Sequence, residues 1–162
     1  MRDHPDERLL EAFRDIFIPK NKNPHSDYIL TMVNYKSIEE RIAEYLAGHY
    51  KSAVEVGIGR NTTTAEILAE RGVDVCATDI RECPECPVIF TRDDITSPDL
   101  SIYSGRELIY SIRPGVEMVP DLIKTAKAAG ADLIVYHLGN EIYENGGEII
   151  DCGVILHRYY KR

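Results

Sequence analysis

Apolar positions fall into two regimes along this chain. Before residue 50 they recur at helical spacing; after it, short apolar runs alternate with amphipathic stretches. Leu9, Leu10, Phe13, Ile16 and Phe17 form one stripe of a helix over 5–17, with Pro5 in its first turn. Residues 18–27, rich in Pro and Asn, read as a loop or linker. A second helix fits 37–47: Ser37 and Glu40 make a capping box, Ile38, Ile42, Tyr45 and Leu46 line one face, and Gly48 stops it. Strands then follow at 53–56, 73–78, 88–91, 108–112 and 133–138. Helices are expected at 64–71, ending at Gly72, and at 120–129, ending at Gly130. The segment 148–160 is β-rich and broken near Gly153.

Strands that alternate with helices imply an α/β fold with a doubly wound, mostly parallel, Rossmann-like sheet and helices on both faces. The final β-rich segment is expected to add an antiparallel C-terminal edge strand. The change of regime divides the chain into a helical extension and linker, 1–33, and a Rossmann-like domain, 34–162.

Composition narrows the function classes. The chain has 162 residues, 44% of them hydrophobic and 28% charged, as in a soluble globular domain. Its net charge is −8, which argues against a nucleic-acid partner. No apolar run approaches the ~18–20 residues that span a membrane, and the charged start MRDHPDERLL has no signal-like apolar core. A cytoplasmic protein without membrane partner is expected. The cysteines Cys76, Cys83, Cys86 and Cys152 then read as thiols or metal ligands rather than disulfides.

Chemistry concentrates after the first strand, at Glu55-Val-Gly57-Ile-Gly59-Arg60-Asn61. Gly57 permits a tight turn, Gly59 lets the backbone approach a ligand, and the next helix starts with free N–H groups. A plain glycine turn is the simpler reading. Asp79, twenty residues after Gly59 at the end of the second strand, favours the sharper one, since an acid there accepts ribose hydroxyls. Asp94 and Ile95 follow the third strand, where a base would lie. The expected partner is therefore a small-molecule nucleoside cofactor. A dinucleotide loop wants Gly or Ala where Thr62 stands, and Glu55 suits a ligand with a cationic end. S-adenosylmethionine, which carries an amine and a sulfonium and no phosphate, fits these residues better than NAD.

With these residues in place the chain resembles the class I S-adenosylmethionine-dependent methyltransferases over about 52–140. Glu55-Val-Gly57-Ile-Gly59 is similar to their first motif, Asp79 to their ribose-binding acid, and Asp94-Ile95 to their adenine contact. Two departures stand out: Asn61 takes the place of a third glycine, and the chain is short for a complete enzyme of that class. More narrowly, EVGIGR…TDI…RDDITSP…LIYSIRP resembles a small archaeal family of uncharacterised Rossmann proteins. That family begins near Met32 and has a second proline where Gly115 stands.

The end of the fourth strand is the natural place for substrate. Tyr110 and Ser111 offer hydroxyls and Arg113 a planar fork suited to carboxylate or phosphate, so these are the candidate catalytic residues. Against that, Tyr110 and Ser111 can point into the flanking layers and Arg113 can make a surface ion pair. Cys83-Pro-Glu-Cys86 can be half a zinc site or a redox pair, but no second close Cys/His pair completes a metal site, and two loop thiols is the plainer reading. His137 can be a base or a satisfied structural histidine. A lid could come from 1–33 or from a homodimer partner. Three readings stay open: an S-adenosylmethionine-binding protein with or without methyl transfer, a non-catalytic nucleoside or interaction module, and an NAD-binding protein.

Overall fold

The computed structural model describes residues 36–162. The helix expected over 5–17, its linker and the division at 33/34 lie outside the described residues. The helix announced by Ser37 is α1 (Ile38–His49), which buries Ile42, Ala43 and Leu46. There follow β1 (Ser52–Val56), α2 (Thr63–Glu70), β2 (Asp74–Asp79), β3 (Ile89–Arg92), α3 (Leu100–Tyr103) and β4 (Leu108–Ile112). After a short 3-10 turn come α4 (Val119–Ala129), β5 (Asp132–Tyr136), β6 (Glu148–Asp151) and β7 (Ile155–Tyr160). Gly130 caps α4 in the left-handed conformation, as its position after the apolar stripe predicts.

The strands form one sheet in the order β3-β2-β1-β4-β5-β7-β6. β1, β2, β3, β4 and β5 are parallel. β7 runs antiparallel to both neighbours, so β6, outside it, has the sense of β5. The chain winds outward from β1 to β3, then jumps back across β1 to β4. The ends of β1 and β4 are thus the switch point at which open α/β sheets bind ligands.

Alternation along the strands builds two cores. Ala53 of β1, Ala77 of β2 and Tyr110 of β4 face α1 and α2, packing with Ile42, Leu46, Ala65 and Leu68. Val54, Val56, Cys76, Ile109 and Val135 face the other way, onto Leu122 and Ala126 of α4 and Tyr103 of α3. The fold is the expected Rossmann-like sheet with helices on both faces. One element escapes the pattern: α3 is a single turn, started by Asp99, whose carboxylate accepts the Ser101 N–H at 3.0 Å. Between β2 and β3 a turn stands where a helix would cover the sheet, and Ile89 on β3 is 77% exposed. Among the described residues no helix is long and apolar enough to cross a membrane.

Candidate functional site

The loop after β1 is pinned from below. Gly57 N–H and Ile58 N–H both donate to the Thr78 carbonyl, at 2.8 and 3.2 Å. Gly57 and Gly59 have φ of 72° and 57°, a region other residues enter only with strain. The Gly59 N–H donates to Asp79 Oδ2 at 2.8 Å, and the Arg81 N–H to Asp79 Oδ1 at 2.9 Å. Asp79 thereby joins the glycine loop to the end of β2. Each carboxylate oxygen has a second lone-pair site, so Asp79 can still accept two hydroxyl hydrogens. Among the described residues a Cβ built on Gly59 meets nothing nearer than the Gly57 carbonyl at 4.0 Å, so that face of the loop is open there.

Beside Asp79 lies a residue the sequence reading passed over. Ile80 is 57% exposed, an apolar surface directly after the acid. The place where a strand's last acid meets the next residue was the available signal. Asp94 lies at the end of β3, exposed, and its Oδ1 accepts both the N–H and the hydroxyl of Thr96, at 2.9 and 2.8 Å. These bonds hold its carboxyl below the usual range. Ile95 is not on the surface; it is buried in the core beside α4. Asp93, next to it, is structural: it accepts the Tyr103 hydroxyl at 2.6 Å and the Asp99 N–H at 3.0 Å.

Glu55 departs from expectation. It is 1% exposed, on the α1 side of β1, in register with Tyr110 of β4, whose hydroxyl donates to Glu55 Oε2 at 2.8 Å. Burial raises its pKa from 4.5 to about 8 against the lowering effect of that bond. Without a ligand the cost of a buried charge is avoided by holding a proton.

The candidate catalytic hydroxyls are likewise internal. Tyr110 is bonded to Glu55, and Ser111, 1% exposed, donates to the Val56 carbonyl at 2.7 Å. Both tie β4 to β1 instead of facing the open end. Arg113, at a φ of 53°, donates to Glu39 Oε1 at 2.9 Å and lies over the Tyr136 ring at 5.2 Å. Asn61 Nδ2 donates to the same Glu39 oxygen at 2.9 Å. Burial works to raise the Glu39 pKa, and the bonds and charge of Arg113 with the bond of Asn61 outweigh it. Glu39 therefore clamps the glycine loop and the β4 end to α1. Its role depends on contacts 22 and 74 residues away, which no local spacing reveals. Arg60 is exposed on the loop.

His137, after β5, is 4% exposed and shares a 2.6 Å hydrogen bond with the Tyr159 hydroxyl, which also accepts the Tyr143 N–H at 3.0 Å. Burial and then the charge of His157 lower its pKa, and its buried Nδ1 has no hydrogen-bond partner among the described residues. Among the described residues no group of three or more His, Cys, Asp or Glu could hold a metal ion.

Comparison with known proteins places this arrangement in context. A model of the uncharacterised protein family UPF0146 matches residues 36–148. The UPF0146 protein of Archaeoglobus fulgidus is 44% identical over 108 residues, covering 64% of this chain and 82% of its own. The sugar N-methyltransferase KedS8 from Streptoalloteichus superposes with a TM-score of 0.51 at 12% identity, over 76% of this chain and 60% of its own. A structure assigned to the Zn-dependent alcohol dehydrogenases, from Rhodobacter sphaeroides, gives a TM-score of 0.51 at 16% identity, over 66% of this chain and 49% of its own. At these identities the likeness is one of fold, and a methyltransferase and a dehydrogenase share it equally.

Proposed function

We propose that this chain, which belongs to the uncharacterised protein family UPF0146, binds S-adenosylmethionine and its demethylated product S-adenosylhomocysteine at the ends of β1, β2 and β3. The observation that carries the reading is the 2.8 Å bond from Gly59 N–H to Asp79. In a pyrophosphate-binding loop such an N–H faces the phosphate; here a carboxylate has taken it. A second carboxylate, Asp94, stands at the next strand end, and Asn61 fills the place of the third glycine. A phosphate-free nucleoside suits a loop already occupied by an anion better than NAD does.

In this reading Asp79 accepts the ribose hydroxyls with its spare lone pairs, and Ile80 offers an apolar face to the adenine. Asp94 accepts from the adenine edge, and Gly57 and Gly59 border the amino-acid end. Glu55 supports the loop from beneath through Tyr110 and does not touch the ligand. S-adenosylmethionine would supply an electrophilic methyl group, and transfer needs alignment more than a protein base. Tyr110 and Ser111 are therefore proposed as scaffold, with Arg113 holding the rim.

Calorimetric titration of the full-length protein with S-adenosylmethionine, S-adenosylhomocysteine and NAD tests this. Saturable binding of the first two, weakened by Asp79→Ala, is expected. Binding of NAD with no heat from either adenosyl ligand would transfer the site to the dinucleotide reading.

A further inference from the structure

The turn Cys83-Pro84-Glu85-Cys86, between β2 and β3, takes no part in the nucleoside reading and stands independently of it. The Cys86 N–H donates to the Cys83 carbonyl at 3.3 Å, Pro84 holds the first central position, and Glu85 the second with a φ of 57°. That is the pattern of a type II turn, kept here although a glutamate occupies the position that favours glycine. Such a turn brings its first and fourth Cα atoms within about 7 Å, the reach of a disulfide.

Both cysteines are half-buried against the core that contains Tyr110 and Ile58. Burial first, and then the neighbouring Cys86, push the Cys83 thiol up to about 11. Cys83 and Cys86 follow Asp79, the acid of the nucleoside cradle, by four and seven residues. The other cysteines lie elsewhere: Cys76 faces α4 and Cys152 sits in the β6–β7 turn.

We propose that Cys83 and Cys86 form a redox couple, interconverting between a dithiol and an intramolecular disulfide by exchange with a low-molecular-weight disulfide. The thiolate of one cysteine attacks one sulfur of that disulfide and expels a thiolate, leaving a mixed disulfide. The Sγ of the other cysteine then attacks the sulfur now in that mixed disulfide, passes its proton to the expelled thiolate and releases the second one, which takes a proton from solvent. Two electrons and the two thiol protons leave with the small disulfide, now two thiols.

The test uses the full-length protein, equilibrated in glutathione buffers of stepped reduced-to-oxidised ratio, quenched by alkylation, digested and read by mass spectrometry. One linkage joining Cys83 to Cys86 is expected, reversed by dithiothreitol, with Cys76 and Cys152 recovered alkylated. Cys83→Ser should stop at a mixed disulfide of Cys86 with glutathione. Recovery of Cys83 and Cys86 as alkylated thiols at every ratio would overturn the proposal. So would separate glutathione adducts on both cysteines of the parent, or one chelatable zinc per chain that blocks their alkylation.

Discussion

The two halves of the sheet treat their polar groups in opposite ways at the same edge. At the ends of β1, β2 and β3, Asp79, Ile80, Gly59 and Asp94 lie at or near the surface, and Asp79 keeps acceptor sites to spare. At the ends of β4 and β5, Tyr110 and Ser111 are paired inside the protein, Arg113 bonds Glu39 through one of its donors, and His137 bonds Tyr159 through Nε2 while its buried Nδ1 has no partner among the described residues. In the proposed reading one half meets a ligand and the other holds the sheet together. A polar side chain at a strand end is therefore a weak indicator of chemistry until its hydrogen-bond capacity has been counted.

The strongest way to break this contrast is at Gly59. A β-branched residue at a φ of 57° is a backbone outlier, and its side chain enters the space left for ligand. Gly59→Val should abolish detectable binding while the fold survives; calorimetry with circular dichroism checks both, and wild-type affinity would sink the loop assignment.

Next in size is the sealed half. Glu55 keeps its proton in the folded protein up to about pH 8, whereas the unfolded chain releases it near 4.5. Between those values the native state binds more protons, so stability falls as pH rises, at up to about 1.4 kcal/mol per pH unit, and levels off above pH 8. Urea unfolding from pH 5 to 9 should show this decline, and Glu55→Gln should flatten it. At pH 7 Tyr110→Phe, which strips the carboxyl of its partner, should cost about 1–3 kcal/mol and leave ligand affinity near the parent's.

Asp79→Ala should weaken S-adenosylhomocysteine binding by about 1.5–3 kcal/mol. A 2′-deoxy ligand should lose less in the variant than in the parent, and equal losses in the two proteins would remove Asp79 from the sugar. Smallest is Arg113→Ala. Its ion pair with Glu39 is part-exposed, so about 1 kcal/mol of stability is at stake. Affinity that fell as far as in Asp79→Ala would move the binding surface to β4.

What could be read from the sequence follows the range of the physics. β4 appears at 108–112 as expected because an apolar run is bounded by Glu107 and by Arg113-Pro114. Gly57, Gly59 and Asp79 are legible because each stands at a strand end, and the strands announce themselves locally. α3 is one turn long and leaves no periodicity to detect. The directions of Glu55 and Tyr110 depend on the register of strands 55 residues apart, and so does the conclusion that their groups satisfy each other. Glu39 was legible only as a surface position of α1, since its partners are brought to it by the finished fold.

The placement of β7 has a consequence for the order in which the sheet is assembled and opened. β6 pairs with β7, and β7 alone joins it to β5. The turn at Gly153 makes β6 and β7 a local hairpin, a unit of the kind that closes in about 1–10 μs, and its docking onto β5 is expected to follow formation of the parallel strands. Any opening that frees β7 from β5 releases β6 with it. In native-state hydrogen exchange, sheet-docked amides of β6 can therefore be no better protected from docking than those of β7, and the hairpin behaves as one cooperative unit at that flank.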